Sequence, residues 1–515
     1  MSRLLIALLA SSSLMAAPVP TAARTDPAAA VAPVSDADFQ RASQQLLDLA
    51  RAAQVAPGAS PAMAVIIVRR GQAPIIWVEG RLDARGDRAA DADTPFYIAS
   101  QTKAYTGLLA QRLDERGVFD LDQTMTDVWP GLRMPQGVDP SAITFRQLLS
   151  HQAPFENDAI TFRAAYTDLV PYADYPRLLA QASTPREAGF RYDNLGYNVY
   201  AAALHARTGK DWRDWLRDDL FQPLGMNRTS ARTSDFPAAE LAAYHQWMGG
   251  DDWSVTPVKP DDTMQAAGGL VTSPHDMARW LQVQLGEPNP VVTRDQVAAT
   301  HVQQVAAEIR GDVVPCQGYG LGWNICRLGQ ADVRVHGGGY TGVRSVMAVS
   351  PDLGVGFAVL TNSDSMTGGL TQMLTQIFFE SLQNSAHPAP TAEQMTAQYG
   401  RRIQRLLEGR RQGLERARAD AQWGGWSWTP SASELDAYAG RYRSPTLGDL
   451  VIDREGQALT ARLGVIRATL QAAQADLFGV QTGPLDAPQP VRFARGADGR
   501  IQALDWTGDR FERVE

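Results

Sequence analysis

Ser100 precedes Lys103 by three residues in the stretch Tyr97-Ile98-Ala99-Ser100-Gln101-Thr102-Lys103-Ala104-Tyr105. Residues three apart share a helix face, so on a helix the hydroxyl and the amine meet one turn apart. An amine at the positive end of a helix dipole is pushed toward its neutral, basic form, which suits a serine nucleophile. Lys103 is one of three lysines, with Lys210 and Lys259, and arginine carries nearly all other positive charge. Arginine stays protonated in a protein whereas lysine can titrate, so a lysine retained here points to a working amine. A helix-capping serine beside a solvated lysine is the plainer reading, and it leaves that choice of residue unexplained.

Two further groups carry chemistry. Tyr192-Asp193-Asn194 offers a phenol able to move protons and, two residues on, a carboxamide able to hold a substrate amide; alone it also fits a buried structural tyrosine. His336-Gly337-Gly338-Gly339-Tyr340-Thr341-Gly342 ends a strand-like run with three residues lacking side chains, which lets a ligand approach the backbone closely. Alone it also fits a turn.

The elements that must position these groups follow from periodicity. Tyr105, Leu108, Leu109 and Leu113 recur at helical spacing, with Gly117 placed to stop that helix. A helix carrying Phe39, Leu46, Leu47 and Leu49 precedes the strand-like runs 63–68 and 74–78, a hairpin signal. The middle of the chain reads as helix and loop, including 144–149 and the run 198–208 ending at Gly209. Strands return over 319–326, 333–336, 345–349 and 355–360, followed by an amphipathic helix with Leu370, Met373, Leu374, Ile377, Phe378 and Leu382 on one stripe. Strands at both ends with helices between predict an α+β domain: one antiparallel sheet flanked by helices, with a helical subdomain inserted. Beyond 386 the pattern changes to a linker with an Arg-rich helix (386–430), and then to short alternating runs over 431–515 that predict a small all-β barrel.

In the order Ser-x-x-Lys, Tyr-x-Asn, His-Gly-Gly, the three motifs resemble the serine β-lactamase and penicillin-binding-protein superfamily. The likeness is to class C β-lactamase-related hydrolases, a branch with D-aminopeptidases, D,D-carboxypeptidases and esterases. It runs from about Pro61 to Asn384 and takes in Leu121-Asp122, the stretch 143–151, Asn194-Leu195-Gly196-Tyr197 and Tyr319-Gly320-Leu321-Gly322-Trp323. The resemblance implies a β-lactamase/transpeptidase-like domain over 36–385 in which Ser100 is acylated, Lys103 is its proton partner and Tyr192 the general base. It further implies that Asn194, His336 and Gly338 bind substrate, and that the backbone N–H groups of Ser100 and Gly339 form the oxyanion hole. The terminal barrel is similar to those appended to several such hydrolases. His336 departs from the lysine usual in class C enzymes, making that positive charge conditional on pH and favouring a peptidase or esterase.

The expected activity is hydrolysis of an amide or ester (a D-amino-acid peptide, short ester or β-lactam) through an acyl-enzyme. The alternative is a catalytically silent sensor of peptidoglycan fragments or β-lactams. No Gly-x-Ser-x-Gly elbow or zinc-binding His pattern occurs, so no metal or other cofactor is expected. A net charge of −8 over 515 residues gives no footprint for nucleic acid. Residues 1–23 read as a secretory signal and 24–35 as a flexible lead, so the expected location is the periplasm or outside the cell. No later run is apolar and long enough to span a membrane, and the expected partner is a small-molecule or peptide substrate. Cys316 and Cys326 would meet an oxidising compartment, but a continuous strand from Tyr319 to Cys326 would hold them apart unless the segment before Tyr319 folds back.

Overall fold

The computed structural model describes residues 34–168, 170–310, 314–364, 368–383 and 389–514. The expected signal (1–23), most of the lead and the first residues of the linker (386–388) lie outside them. The larger of two compact units holds an eight-stranded sheet built from β1 (Ala62–Arg69), β2 (Ile75–Gly80), β3 (Val305–Ile309), β4 (Cys316–Tyr319), β5 (Asn324–Leu328), β6 (Ala331–Tyr340), β7 (Val343–Ser350) and β8 (Val355–Thr361). Its order is β2-β1-β8-β7-β6-β5-β4-β3, each neighbouring pair antiparallel. The two ends of the domain meet where β1 pairs with β8, Val65 opposite Val359. β1 and β8 are apolar almost throughout and buried on both faces, as strands covered on both sides must be.

The helices that matter are α1 (Asp36–Gln54), α2 (Thr102–Glu115), α3 (Leu195–Thr208), α4 (Pro274–Gln284), α5 (Gly368–Leu382) and α6 (Ala392–Arg418). α1 and α5 pack on each other, α1 against β1 and α5 against β6 and β7; α4 packs on β1 and β8. The turn carrying Ser100 rests on β6 and β7. Gly117 takes φ 65 just past α2, and Gly209 takes φ 71 just past α3. Both are left-handed positions that end a helix at little cost only with glycine.

One expectation is corrected here. Residues 319–326 are not a single strand: β4 and β5 form a hairpin through Gly320–Trp323, with Gly322 at φ 84. The fold-back sets Cys316 directly opposite Cys326, and the two are joined in a disulfide with Cα atoms 4.0 Å apart.

The second unit is a closed barrel of β9 (Gly440–Ser444), β10 (Gly448–Glu455), β11 (Ala458–Leu463), β12 (Ile466–Gln474), β13 (Leu477–Val480), β14 (Gln489–Arg495), β15 (Ile501–Trp506) and β16 (Asp509–Arg513). Leu450, Ile452, Leu459, Phe478, Leu504 and Phe511 fill its interior while alternate residues face out. Residues 157–170 group with this unit rather than with the sheet domain that precedes and follows them in sequence. Ala159 and Phe162 pack on the barrel core, and Thr167 accepts the backbone N–H of Val465 at 2.7 Å.

Candidate active site

Ser100 lies in a single 3-10 turn, Ala99–Gln101, between a two-residue strand and α2, which begins at Thr102. It therefore stands one turn ahead of the α-helix proper and does not cap it. Ala99 adopts φ 46, a left-handed conformation that costs a non-glycine residue energy and is held by its surroundings. Those surroundings are specific: Thr102 Oγ1 donates to Ala99 O (2.7 Å) and accepts from Leu270 N (3.1 Å). On its far side α2 meets the β4–β5 turn backbone to backbone. A methyl group on Gly107 would strike Leu321 O, and one on Gly322 would strike Lys103 O.

The Lys103 side chain is fully buried. Its Nζ lies 2.8 Å from Asn194 Oδ1, 2.8 Å from Ala267 O and 3.2 Å from Ser100 Oγ. Burial pulls its pKa down to about 7, with Asp193 acting in the opposite sense. The sequence argument credited the helix dipole; desolvation is the larger cause. A neutral amine has two N–H groups and one lone pair. Asn194 Oδ1 and Ala267 O can only accept, so they take both hydrogens and leave the lone pair for the Ser100 hydroxyl. Asn194 thus orients the base as well as facing the site.

Tyr192 stands over the same amine, Nζ lying 4.8 Å from its ring centre. Desolvation raises its pKa, and a hydrogen bond with Ser100 pulls it down. The residue remains 37% exposed, so it forms one wall of an open site.

β6 forms the other wall. Its pairing with β5 ends at Val335 opposite Asn324, while its pairing with β7 continues to Tyr340. Among the described strands none pairs with the β5 side of β6 beyond Val335. Gly338 is required because a Cβ would strike Ile98 O and Ser345 Oγ, the contact that seats β6 against the Ser100 turn. Gly339 follows on this free edge, in the position expected of the oxyanion residue.

His336 is corrected. It is 2% exposed, with Nε2 3.0 Å from Tyr319 Oη and Nδ1 2.7 Å from Gly337 O. A carbonyl can only accept, so Nδ1 carries the proton and Nε2 accepts from the tyrosine. Burial and the nearby Lys103 lower its pKa to about 3. That shift favours the neutral imidazole, where the sequence reading made the charge conditional on pH.

Sequence reasoning missed the ring cluster behind Tyr192. His151 is buried with φ 61, its ring 4.4 Å from Tyr192, 4.6 Å from Tyr319 and 5.5 Å from Tyr197. Its Nδ1 accepts from the backbone N–H of Asp193 at 3.3 Å, fixing the turn that presents Tyr192 and Asn194. The only trace in the sequence was its place at the end of the 143–151 stretch. Among the described residues no cluster of His, Cys, Asp and Glu could hold a metal ion, and no helix is long and apolar enough to cross a membrane.

A half-buried serine beside a buried lysine, with a phenol over the amine and a strand edge beside them, is an arrangement suited to nucleophilic catalysis by the serine. Residues 47–379 match the beta-lactamase family model, and the chain belongs to that family. Residues 428–514 match a model described as a domain of unknown function, DUF3471. The unguisins hydrolase of Aspergillus campestris is 26% identical over 348 residues, 64% of this chain and 62% of that protein, so the chain spans about three fifths of that relative. Penicillin-binding protein 4 of Amycolatopsis lactamdurans is 27% identical over 57% of this chain and 78% of its own length. The D-amino acid amidase of Ochrobactrum anthropi SV3, solved with L-phenylalanine amide, shares the fold at TM-score 0.57 and 21% identity, covering 67% of this chain and 99% of its own.

Proposed function

We propose that this protein is an exported hydrolase that cleaves an amide or ester, of the D-amino-acid peptide or short ester kind, through an acyl-enzyme on Ser100. The observation that carries the reading is the Lys103 amine, held by two acceptors so that its remaining position faces Ser100 Oγ. Ser100 Oγ attacks the carbonyl carbon as its proton passes to Lys103. The backbone N–H groups of Ser100 and Gly339 receive the oxyanion, and the proton taken up by Lys103 is relayed through Tyr192 to the leaving amine or alcohol, which returns Lys103 to the neutral amine and Tyr192 to the phenol. Water then enters from the open Tyr192 side and repeats the sequence on the acyl-enzyme. The neutral His336 weakens the case for a β-lactam. Export is supported by the signal-like start of the chain and by the disulfide, which persists in oxidising compartments.

The test is covalent labelling by a fluorophosphonate, followed by turnover of nitrocefin, p-nitrophenyl esters and D-amino-acid amides. Wild type should label and turn over at least one ester or amide, and Ser100→Ala should do neither. Full labelling in the variant would place the nucleophile elsewhere. Labelling without turnover of any substrate would favour a sensor.

A further inference from the structure

The β4–β5 hairpin reaches the site through its turn and through both of its strands. The turn meets α2 backbone to backbone at Lys103, Ala104 and Gly107. Tyr319, the last residue of β4, donates to His336 Nε2 at 3.0 Å, and its ring lies 4.6 Å from His151 and 6.4 Å from Tyr192. Asn324, the first residue of β5, donates from Nδ2 to Val335 O at 3.0 Å, one residue before His336. The ladder that holds β4 is slight by comparison. β4 has four residues, and its register with both β3 and β5 shifts between Cys316 and Gly318. A break of that kind disrupts pairing locally and leaves a strand end prone to open. The disulfide closes the hairpin on the far side of the break, with both half-cystines buried.

We propose that the Cys316–Cys326 disulfide is a latch that keeps the β4–β5 hairpin seated on α2 and His336, so that Ser100 chemistry depends on the bond while the fold does not. The inference rests on the hydrolase reading for the reaction that the latch supports. Opening it takes a dithiol reductant. A thiolate of the reductant attacks one sulfur, its second thiol resolves the mixed disulfide, and the chain gains two thiols as the reductant becomes a cyclic disulfide. Without the bond the register break is free to widen and the turn to lift from Lys103. Water then reaches an amine whose pKa burial brings down. The ionisable groups around that amine are Asp193, Tyr192 and Tyr197, with His151 and His336 close by. The hairpin's own group at the site is the Tyr319 phenol, which burial holds protonated. A change in Lys103 on opening the latch therefore reports lost cover and not a lost charge.

The test compares the full-length protein oxidised, reduced with dithiothreitol, and as the Cys316→Ser/Cys326→Ser double variant, with near-UV circular dichroism reporting the fold. Both forms lacking the bond should keep the spectrum of the oxidised protein. They should label Ser100 with a neutral fluorophosphonate at least about tenfold more slowly, since misplacing a reacting group by about an ångström costs up to about a hundredfold. The acid limb of the labelling rate should move to higher pH as Lys103 regains water, and re-oxidation of the reduced wild type should restore both rate and profile. Equal rates and pH profiles with and without the bond would overturn the proposal. Loss of the near-UV spectrum in both forms would overturn it too, because the bond would then hold the domain and not the hairpin. No labelling of the oxidised protein would overturn the hydrolase reading instead. Hydrogen exchange over 100–107 would still decide the latch: it should quicken when the bond is absent, and unchanged exchange would sink the idea.

Discussion

Lys103 has to lose a proton before it can take one from Ser100. With its pKa lowered to about 7 by burial, the fraction of neutral amine falls about tenfold for each pH unit below that point. Acylation by a neutral fluorophosphonate should therefore slow as pH drops from 7 to 5 and level off above about 8. A labelling rate constant that stays flat from pH 5 to 9 would remove Lys103 from the proton transfer. At this scale the sequence was informative about type and spacing: Ser100, Lys103, Tyr192 and Asn194 could be picked out because few other side chains perform their chemistry. It was uninformative about state. His336 carries the same imidazole wherever it sits, and only its burial against Tyr319 and Lys103 makes it neutral.

Among the elements, the glycines of β6 set how closely the oxyanion strand approaches the nucleophile turn. Gly338→Ala would drive a methyl group into Ile98 O and Ser345 Oγ, and strand and turn would have to separate. Displacing an oxyanion donor in this way should lower kcat roughly a hundredfold or more. Gly400→Ala, in α6 where a Cβ meets open space, is the control and should leave kcat unchanged. Equal kcat in the two variants would mean that β6 is not the oxyanion strand. The glycine run signalled close approach in the sequence, but its three members could not be assigned. What each one clears, Ile98 for Gly338 and Arg344 for Gly339, depends on register and on chain brought in from far along the sequence. The β4–β5 hairpin was misread for a related reason. Tyr319–Cys326 has strand-like composition throughout, and the turn depends on Gly320 and Gly322 reversing the chain against Thr300 and α2.

The molecule as a whole buries His151, His245, His301 and His336, with pKa values lowered by desolvation, to about 3 for His301 and His336. Unfolded, each binds a proton near pH 6.5. Between those limits the unfolded chain holds more protons, so stability is lost as pH falls below about 6.5, by about 1.4 kcal/mol per pH unit for each group that stays neutral. Asp193 and Asp276, whose carboxyls burial pushes up, act in the opposite sense at lower pH. Thermal unfolding should show Tm falling steadily from pH 6.5 to 4.5; an unchanged Tm over that range would mean these histidines protonate in the folded protein. By itself the sequence singled out the Ser100 and Lys103 spacing, the α+β domain, the terminal barrel and the family resemblance, because helical and strand periodicity and scarce chemical groups are local signals. Tertiary structure alone decided that residues 157–170 belong with the barrel, that Cys316 faces Cys326, that His336 is uncharged and that Arg344 crosses Gly339. Each of those depends on strand register or on burial, which arise only when segments distant in the chain are packed together.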